Sequence, residues 1–460
     1  MTDGVKVVVP DRLDLITPYV LREQGDWFED EIKFVRKLAH PGMSCIDVGA
    51  NYGVYALSLA RKVGPAGRVW AFEPAAATAG CLRASIGANR FENVTLLETA
   101  LSDRTGTALL AVGGHAELNH IATGEDRQSG SGTPTREVSV TTLDRAMRDC
   151  GWPQIDFVKL DAEGEETRIV RGGAGFFAEQ SPLVLFEIRH ANRAVDPGIS
   201  RALGALGYDA YELCAGLDLL VPVDLDAVPD VYRLNWFACK PERAESLARA
   251  GWLVPPSSGR AAPPALDANA GWHALAAMPY APSFAERWPP AGAREPASLA
   301  SLLEIIALHA FARSPVHPPA TRWAAARSAA DRIAALRTLE PRPEILSTYA
   351  RIAADLGRRE AALVALTQAA RAMAASSARL TLPLLPASPR FDEVDPESTP
   401  ERWAFAAVLE QMETLRQYSA IFGSSSSELI DLMRSLGFST PAMEARKAAM
   451  QARTLASVLS

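Results

Sequence analysis

The chain has 460 residues, of which 48% are hydrophobic and 22% are charged, and its formal net charge is −7. This composition is typical of a globular protein with two or three domains, and no block of Lys and Arg suggests a nucleic-acid partner. No apolar run is long enough to cross a bilayer, and the first residues lack the basic and apolar regions of a secretory signal.

The first 42 residues predict an N-terminal extension. Residues 5–9, Val-Lys-Val-Val-Val, are typical of a short strand. Residues 25–42 predict an amphipathic helix that ends at His40-Pro41-Gly42.

Residues 43–240 alternate between apolar runs rich in β-branched residues and helical patterns. Strands are predicted at 44–48, 67–73, 93–101, 155–161, 182–190, 208–213 and 233–240. Repeated strand–helix–strand units with short connections predict an α/β fold, in which helices cover both faces of a mostly parallel sheet.

The interval 102–150 interrupts this alternation and predicts an added strand pair. Between the two strands lies a stretch at 113–136 that is rich in Gly, Ser and Thr. Such a stretch inside a compact domain is either a mobile functional loop or a disordered insert, and the sequence favours neither.

The composition changes after Lys240. Residues 241–295 are rich in Pro, Ser and Gly and predict a linker. Residues 296–460 are rich in Ala and carry helical periodicity, which predicts an all-α C-terminal domain.

The cysteines and histidines show no metal-binding spacing. The five cysteines are odd in number and include no CxxC pair, which predicts reduced thiols and a cytoplasmic location. The seven histidines form no HxH or HExxH pattern, so no metal site is predicted.

A glycine-rich turn, Asp47-Val-Gly-Ala-Asn-Tyr-Gly53, follows the first strand of the predicted sheet. Ligands of open α/β sheets bind at this carboxyl edge, but the turn lacks the GxGxxG and GxxxxGK patterns that bind phosphate. Glu73 and Asp161 end two further strands at the same edge. The three carboxylates predict a site for a positively charged nucleoside without phosphate, and S-adenosylmethionine is such a ligand.

Residues 159–166, Lys-Leu-Asp-Ala-Glu-Gly-Glu-Glu, gather four acids around one glycine. Strand alternation places Asp161 and Glu163 on one side, toward the predicted crevice. Glu165 and Glu166 fall in the first turn of the next helix, where negative charge is favourable. A structural role for the first two acids is the alternative.

These motifs resemble those of the FkbM family of methyltransferases, over roughly residues 20–240. The matching stretches are PGMSCIDVGANYGVYALSLA, GRVWAFEP, NVTLLETALSD, VSVTTLD and FVKLDAEGEETRIVRGG. The resemblance implies a class I methyltransferase fold, which is a Rossmann-like, seven-stranded, mostly parallel sheet. It also implies S-adenosylmethionine as the donor and a hydroxyl of a glycan sugar or of a polyketide-type natural product as the acceptor.

The resemblance also implies the roles of individual residues. The residues expected to bind the cofactor are Asp47, Gly49, Asn51, Gly53, Glu73 (at the ribose), Ser102 (near the adenine, with Ala100 and Leu101) and Asp161. Asp161 to Glu163 are expected beside the methyl donor.

Methyl transfer to a hydroxyl predicts in-line displacement aided by a general base. The candidates are Asp161, Glu163 and His190, although a partly buried, structural His190 is at least as plausible. An alternative function is a scaffold whose helical tail binds a partner protein or a second copy of the chain. A nicotinamide-dependent oxidoreductase is disfavoured because no GxGxxG follows the first strand.

Overall fold

An eight-stranded sheet organises the first half of the chain, and a bundle of helices forms the second half. The computed structural model describes residues 1–113, 116–122, 134–191, 194–225, 230–256, 261–288, 297–375, 379–397, 399–423 and 427–459. The described strands are β1 (Ser44–Val48), β2 (Arg68–Phe72), β3 (Val94–Leu97), β4 (Ala100–Leu101), β5 (Gly106–Ala111), β6 (His120–Ile121), β7 (Thr135–Thr141), β8 (Phe157–Leu160), β9 (Leu183–Glu187), β10 (His190–Ala191), β11 (Ala194–Val195), β12 (Asp209–Cys214), β13 (Leu219–Pro222) and β14 (Asn235–Cys239).

The main sheet has the strand order β13-β12-β14-β9-β8-β1-β2-β3. Strands β3, β2, β1, β8 and β9 are parallel, whereas β14 is antiparallel to both β9 and β12. The seven-stranded, mostly parallel sheet of a class I methyltransferase is therefore confirmed, and β13 adds an eighth strand by a hairpin with β12.

The central strand β1 is buried along all five residues because helices cover both faces of the sheet. Cys45 packs into the core on one face and Ile46 into the core on the other, as strand alternation requires. In parallel register, Ile46 lies opposite Trp70 of β2 and Val158 of β8. This central position brings the end of β1 to the middle of the carboxyl edge of the sheet.

The described helices alternate with these strands as far as β14, and the described elements after β14 are helices. They are α1 (Ile16–Gln24), α2 (Asp30–Leu38), α3 (Val54–Val63), α4 (Ala76–Asn89), α5 (Leu143–Cys150), α6 (Glu166–Gly172), α7 (Ala174–Gln180), α8 (Gly198–Gly204), α9 (Pro241–Arg249), α10 (Ala268–Ala276), α11 (Ala297–Arg313), α12 (Pro319–Leu339), α13 (Pro343–Asp355), α14 (Arg359–Ala375), α15 (Pro400–Arg416), α16 (Glu428–Ser435) and α17 (Pro441–Leu459). Helices α2, α3, α4 and α9 pack on one face of the main sheet, and α5 to α8 pack on the other.

A second sheet, β4-β7-β5-β6, lies between β3 and α5 along the chain. Its strands β5 and β7 pair antiparallel from Gly106↔Val140 to Ala111↔Thr135, which confirms the added strand pair. Most of the stretch predicted as a loop at 113–136 lies outside the described residues. The described part includes a single helical turn at Ala116–Leu118.

The N-terminal extension differs from the prediction in two respects. Residues 5–9 form no strand, because their backbone bonds to side chains instead of a neighbouring strand. The Lys6 and Val8 amides donate to Asn89 Oδ1 and Ser85 Oγ on α4, at 2.9 and 2.8 Å. In addition, α1 precedes the predicted helix, which begins only at Asp30.

Residues 241–295 contain more regular structure than the predicted linker. Helix α9 packs against the main sheet through Ala244, and α10 belongs to the core of the helical half through Leu275. Pro241 occupies the first turn of α9, a position that requires no backbone N–H. Pro241 therefore begins a helix, whereas from the sequence alone the prolines of this interval predict an irregular linker.

The core of the helical half extends to the edge of the main sheet. The buried side chains of Cys214, Leu217 and Leu219, from the β12–β13 hairpin, belong to the same cluster as the helices α10 to α16. Arg322 of α12 crosses the boundary, where its Nη2 donates to the Leu217 carbonyl at 2.5 Å. Within the described part of the chain, no helix has the length and apolar character needed to span a membrane.

Candidate active site

A cavity of about 290 Å³ opens at the carboxyl edge of the main sheet. Residues from the ends of β1, β2, β8 and β9 and from the start of β14 line it. Of the residues singled out in the sequence, the cavity wall includes Asp47, Gly49, Asn51, Glu73, Asp161 and Glu163. The structure therefore brings the three predicted strand-end carboxylates together in one site.

Asp47 is almost fully buried at the end of β1, with 1% of its surface exposed. Its Oδ2 accepts a hydrogen bond of 2.8 Å from the Ala56 amide in α3, which ties the turn to the helix that follows. Its Oδ1 has no hydrogen-bond partner within the described chain. Burial raises the pKa of Asp47 to about 6, although the Lys159 ammonium opposes this shift.

Gly49 allows the turn after β1 to lie directly against the end of β8. Its φ is +72°, and a Cβ at this position would lie 1.7 Å from the Asp161 carbonyl oxygen. Any other residue would separate the two strand ends. Gly53 has a positive φ at the start of α3 but does not line the cavity.

Glu73 follows β2 and turns its carboxylate back to the backbone around the cavity. Its Oε2 accepts from the Asn51 amide at 2.9 Å, and its Oε1 accepts from the Ala75 amide at 2.8 Å. Burial raises the pKa of Glu73 to about 7, and these two hydrogen bonds limit the rise. Each carboxylate oxygen has a second lone pair, so both can still accept a hydrogen bond from a ligand.

The stretch after β8 sorts its four acids into two pairs. Glu166, in the first turn of α6, accepts from the Ala162 and Gly164 amides at 2.8 and 3.0 Å, and Gly164 makes this turn with a φ of +105°. Glu165 precedes the helix as its N-cap residue and pairs with Arg168 at 2.6 Å. These two acids support the turn, although Glu165 also lines the cavity together with Asp161 and Glu163.

Lys159 provides the buried cation of the site. Its Nζ lies 2.6 Å from Asp161 Oδ2 and 5.1 Å from the centre of the Tyr55 ring. Its pKa is raised, because the charges of Asp161, Asp47 and Glu29 outweigh the opposing effect of burial. Lys159 therefore remains protonated and holds one side of the Asp161 carboxylate.

The structure adds Glu187 to the predicted acidic residues. Carboxylate oxygens of Asp161, Glu163 and Glu187 all lie within 4.8 Å of one another. Burial and the neighbouring carboxylates raise the pKa of Glu163 to about 7 and that of Glu187 to about 8. From the sequence alone, Glu187 could either face the crevice or pair with Arg189 at the surface. Its position at the end of β9 was the one feature that indicated the crevice.

Ser102 does not line the cavity, which differs from its predicted place near the adenine. Its hydroxyl is fully buried and donates to Glu165 Oε2 at 2.7 Å. The preceding residues Thr99, Ala100 and Leu101 do line the cavity. The predicted segment is thus present at the site, but Ser102 follows the end of β4 and its hydroxyl is bonded to Glu165.

His190 lies in β10, which pairs antiparallel with β11. Its side chain lies outside the described residues, so its predicted role as a base stays a prediction. His115 also lies outside them, whereas His120 lines the cavity.

The roof of the cavity comes from parts of the chain outside the sheet. Trp27 and Phe28 come from the N-terminal extension, and Phe422 comes from the helical half. The Phe28 and Phe422 rings meet edge to face with their centroids 5.6 Å apart. Glu117 joins the roof to α1, because its Oε1 accepts from the Thr17 amide at 2.9 Å. No pattern in the sequence indicates this roof.

Comparison with known proteins finds one family model that matches the part of the chain carrying this site. Residues 47–209 match the family model described as the methyltransferase FkbM domain, which confirms the resemblance seen in the sequence. No curated protein matches the chain.

Several solved structures resemble part of the chain. The FkbM methyltransferase from Methylobacillus flagellatus KT is 15% identical, with a TM-score of 0.28 over 43% of this chain and 43% of that chain. The S-adenosylmethionine-dependent O-methyltransferase from Thermotoga maritima is 17% identical, with a TM-score of 0.26 over 46% of this chain and 64% of that chain. Aeropyrum pernix fibrillarin, solved with bound S-adenosylmethionine, is 13% identical, with a TM-score of 0.27 over 44% of this chain and 67% of that chain. The match thus spans less than half the length of the M. flagellatus protein.

Proposed function

With residues 47–209 matching the FkbM methyltransferase domain, we propose that the chain transfers a methyl group from S-adenosylmethionine to a hydroxyl. The acceptor would be a glycan sugar or a small-molecule natural product. The observation that carries this proposal is the convergence of Asp47, Glu73 and Asp161 on one cavity at the carboxyl edge of the sheet.

The free hydrogen-bonding atoms in the cavity wall fit such a cofactor. Asp47 Oδ1 and Asn51 Oδ1 are buried and have no partner within the described chain, so both can accept hydrogen bonds from a ligand. Glu73 keeps one lone pair on each oxygen beside two backbone amides, an arrangement suited to the two hydroxyls of a ribose. A phosphate group would instead meet three carboxylates and be repelled.

Bound at these residues, the cofactor would supply a methyl carbon attached to a positively charged sulfur. The acceptor oxygen forms its bond to this carbon as the carbon–sulfur bond breaks and sulfur keeps the electron pair. The residues of the chain orient the acceptor and exclude water, the latter through the roof of Trp27, Phe28 and Phe422.

The hydroxyl must also lose its proton, and the acids at the end of β8 are suited to receive it. Asp161 is oriented by the Lys159 ammonium, whereas Glu163 accepts no hydrogen bond and forms no ion pair within the described chain. A carboxylate whose pKa is raised to about 7 exchanges a proton readily near neutral pH. Glu163 is therefore the base that we favour over Asp161 and His190.

We further propose that the acceptor is a small molecule or a carbohydrate and that the protein is cytoplasmic. The first proposal is supported by the size of the cavity, which is near that of small-molecule sites. The second is supported by five free cysteines. Because Phe422 of the helical half lines the cavity, we favour an accessory role for that half over a scaffold that binds a partner.

Calorimetric titration of the full chain with S-adenosylmethionine, S-adenosylhomocysteine and NAD tests the proposal. We expect both sulfur compounds to bind and NAD not to bind. Glu73→Gln should weaken binding of S-adenosylhomocysteine by about 10- to 100-fold, since a hydrogen bond to a charged group contributes roughly 1.5–3 kcal/mol. Exposed Asp103→Asn serves as the control. Absence of binding by both sulfur compounds would refute the proposal.

A further inference from the structure

Two of the three clustered carboxylates lack a partner among the residues that the structure describes. Glu163 and Glu187 accept no hydrogen bond and form no ion pair within the described parts of the chain. The buried cation beside them, Lys159, is already bonded to Asp161. Arg189 lies near the turn at Gly164, but its side chain is exposed and water screens its charge.

A buried amide faces the same part of the cavity. Asn235 at the start of β14 lies directly opposite Glu187 in antiparallel register, so the two side chains are on the same face of the sheet. Only 5% of Asn235 is exposed, and both residues line the cavity. The Asn235 amide nitrogen has no hydrogen-bond partner within the described chain, although a buried amide normally has one. This orphaned side chain is an independent sign that a ligand belongs here.

The electrostatics of the cluster call for a positive charge. Three like charges within 4.8 Å of one another repel strongly in a partly buried site, and Lys159 compensates only one of them. The two remaining negative charges equal the charge of one divalent cation.

We propose that Asp161, Glu163 and Glu187 form a binding site for a hard divalent cation. Rotation of the Asn235 amide would present its oxygen as a fourth ligand. An all-oxygen set of carboxylates and an amide suits Mg²⁺, Mn²⁺ or Ca²⁺, whereas zinc favours the nitrogen and sulfur ligands that this cluster lacks. The cation would lie between strands β8 and β9 at the inner end of the cavity.

A cation at this point has a direct use in methyl transfer, and this use rests on the proposed function. It would bind the acceptor oxygen and lower the pKa of the hydroxyl, whose proton would pass to water. With the cation bound, Glu163 would be a ligand of the metal instead of the base. The cation site itself does not depend on the identity of the acceptor. It can therefore be tested with the metal alone.

The test is a titration of the full chain with Mn²⁺, with and without S-adenosylhomocysteine. Binding is measured as the loss of the electron paramagnetic resonance signal of free Mn²⁺. We expect one ion per chain in the wild type and in the control variant Glu179→Gln, which removes an exposed acid on α7. Glu163→Gln and Glu187→Gln should each weaken binding by at least about tenfold, since loss of even an outer-shell partner has an effect of 10- to 100-fold.

Two outcomes would overturn the site. One is the absence of saturable binding up to about 10 mM, well above the weakest range of carboxylate sites, about 1 mM. The other is unchanged binding in both glutamine variants. Circular dichroism shows whether the Glu163→Gln and Glu187→Gln variants are folded. If only one of them folds, its affinity for Mn²⁺ still decides the test. If the protein binds S-adenosylhomocysteine but not Mn²⁺, only the cation site is refuted. If it binds Mn²⁺ but not S-adenosylhomocysteine, only the proposed function is refuted.

Discussion

The Glu23 carboxylate on α1 accepts a hydrogen bond of 3.0 Å from the Arg446 guanidinium on α17, although 423 residues separate the two in the chain. The Ala420 amide donates to the same carboxylate oxygen at 3.0 Å, and the Ser419 hydroxyl donates to the other oxygen. This buried network holds the segment that carries Phe422 over the cavity. The link between the N-terminal extension and the helical half therefore combines a buried polar network with the apolar cluster of Tyr19, Ala420, Ile430 and Met450.

Replacing Glu23 by Ala should destabilise the protein by about 1–3 kcal/mol, because the Ser419 hydroxyl and the Ala420 amide would lose their buried acceptor, whereas Arg446 would keep its ion pair with Glu413. Urea unfolding of the variant and the wild type measures the difference. Asp149→Asn, which removes an exposed ion pair with Arg145, is the control and should change little. A loss of less than about 1 kcal/mol in Glu23→Ala would show that the network is not needed for docking of α17.

The glycine turn after β1 predicts opposite effects for two Gly→Ala variants. Gly49→Ala would place a Cβ 1.7 Å from the Asp161 carbonyl oxygen, so it should abolish binding of S-adenosylhomocysteine and lower the melting temperature. Gly80→Ala, in the interior of α4 with no atom within 4 Å of the added Cβ, should stabilise the protein by about 0.5–1 kcal/mol. Thermal unfolding and calorimetry measure both effects. Equal behaviour of the two variants would contradict the close approach of the strand ends.

Ser102→Ala separates a packing role from a binding role. The variant loses the hydrogen bond to Glu165, so it should be destabilised by about 1–3 kcal/mol. Its affinity for S-adenosylhomocysteine should stay that of the wild type, because Ser102 does not line the cavity. A tenfold loss of affinity at unchanged stability would instead support the role that the sequence predicted.

Glu31 should make the stability of the protein depend on pH between about 4.5 and 8. Burial raises its pKa to about 8, with a further contribution from Glu29 and an opposing one from Arg233. The folded state therefore holds a proton that the unfolded state releases near its ordinary pKa of 4.5, so this contribution to stability is full below pH 4.5 and is lost as the pH rises through 8.

Glu31→Gln should remove this dependence and stabilise the protein at pH 9 by on the order of a few kcal/mol, since each pKa unit corresponds to about 1.4 kcal/mol. Urea unfolding from pH 5 to 9 gives the two curves, and exposed Glu92→Gln should follow the wild type. Parallel curves for Glu31→Gln and the wild type would show that Glu31 ionises normally.

The sequence predicted the sheet and the three strand-end carboxylates of the cavity because local patterns encode both. Apolar runs placed the strands, and the carboxyl ends of parallel strands necessarily meet, so Asp47, Glu73 and Asp161 could be assigned to one site from the order of residues alone. Their convergence in the cavity is confirmed. The same reasoning assigned Glu163, which follows Asp161 by one alternation of the strand.

The rest of the site depends on contacts between distant parts of the chain. Glu187 faces the cluster because β9 pairs with β8, and Asn235 reaches it only through the antiparallel return of β14. Phe422 reaches the cavity because the Glu23 network holds its segment. No local pattern carries such information. Composition also misled at 241–295, where Pro241 begins α9 on the main sheet and α10 packs into the core of the helical half.

The extension of the helical core to the edge of the main sheet decides how the chain can be divided. A protein shortened at residue 260 would expose the buried faces of Leu217 and Leu219 to water, along with the rest of the surface that the helices cover. Such a fragment would aggregate instead of reporting what the missing helices do. By the same reasoning, heating the whole chain should melt the sheet and the bundle together, as one cooperative unit.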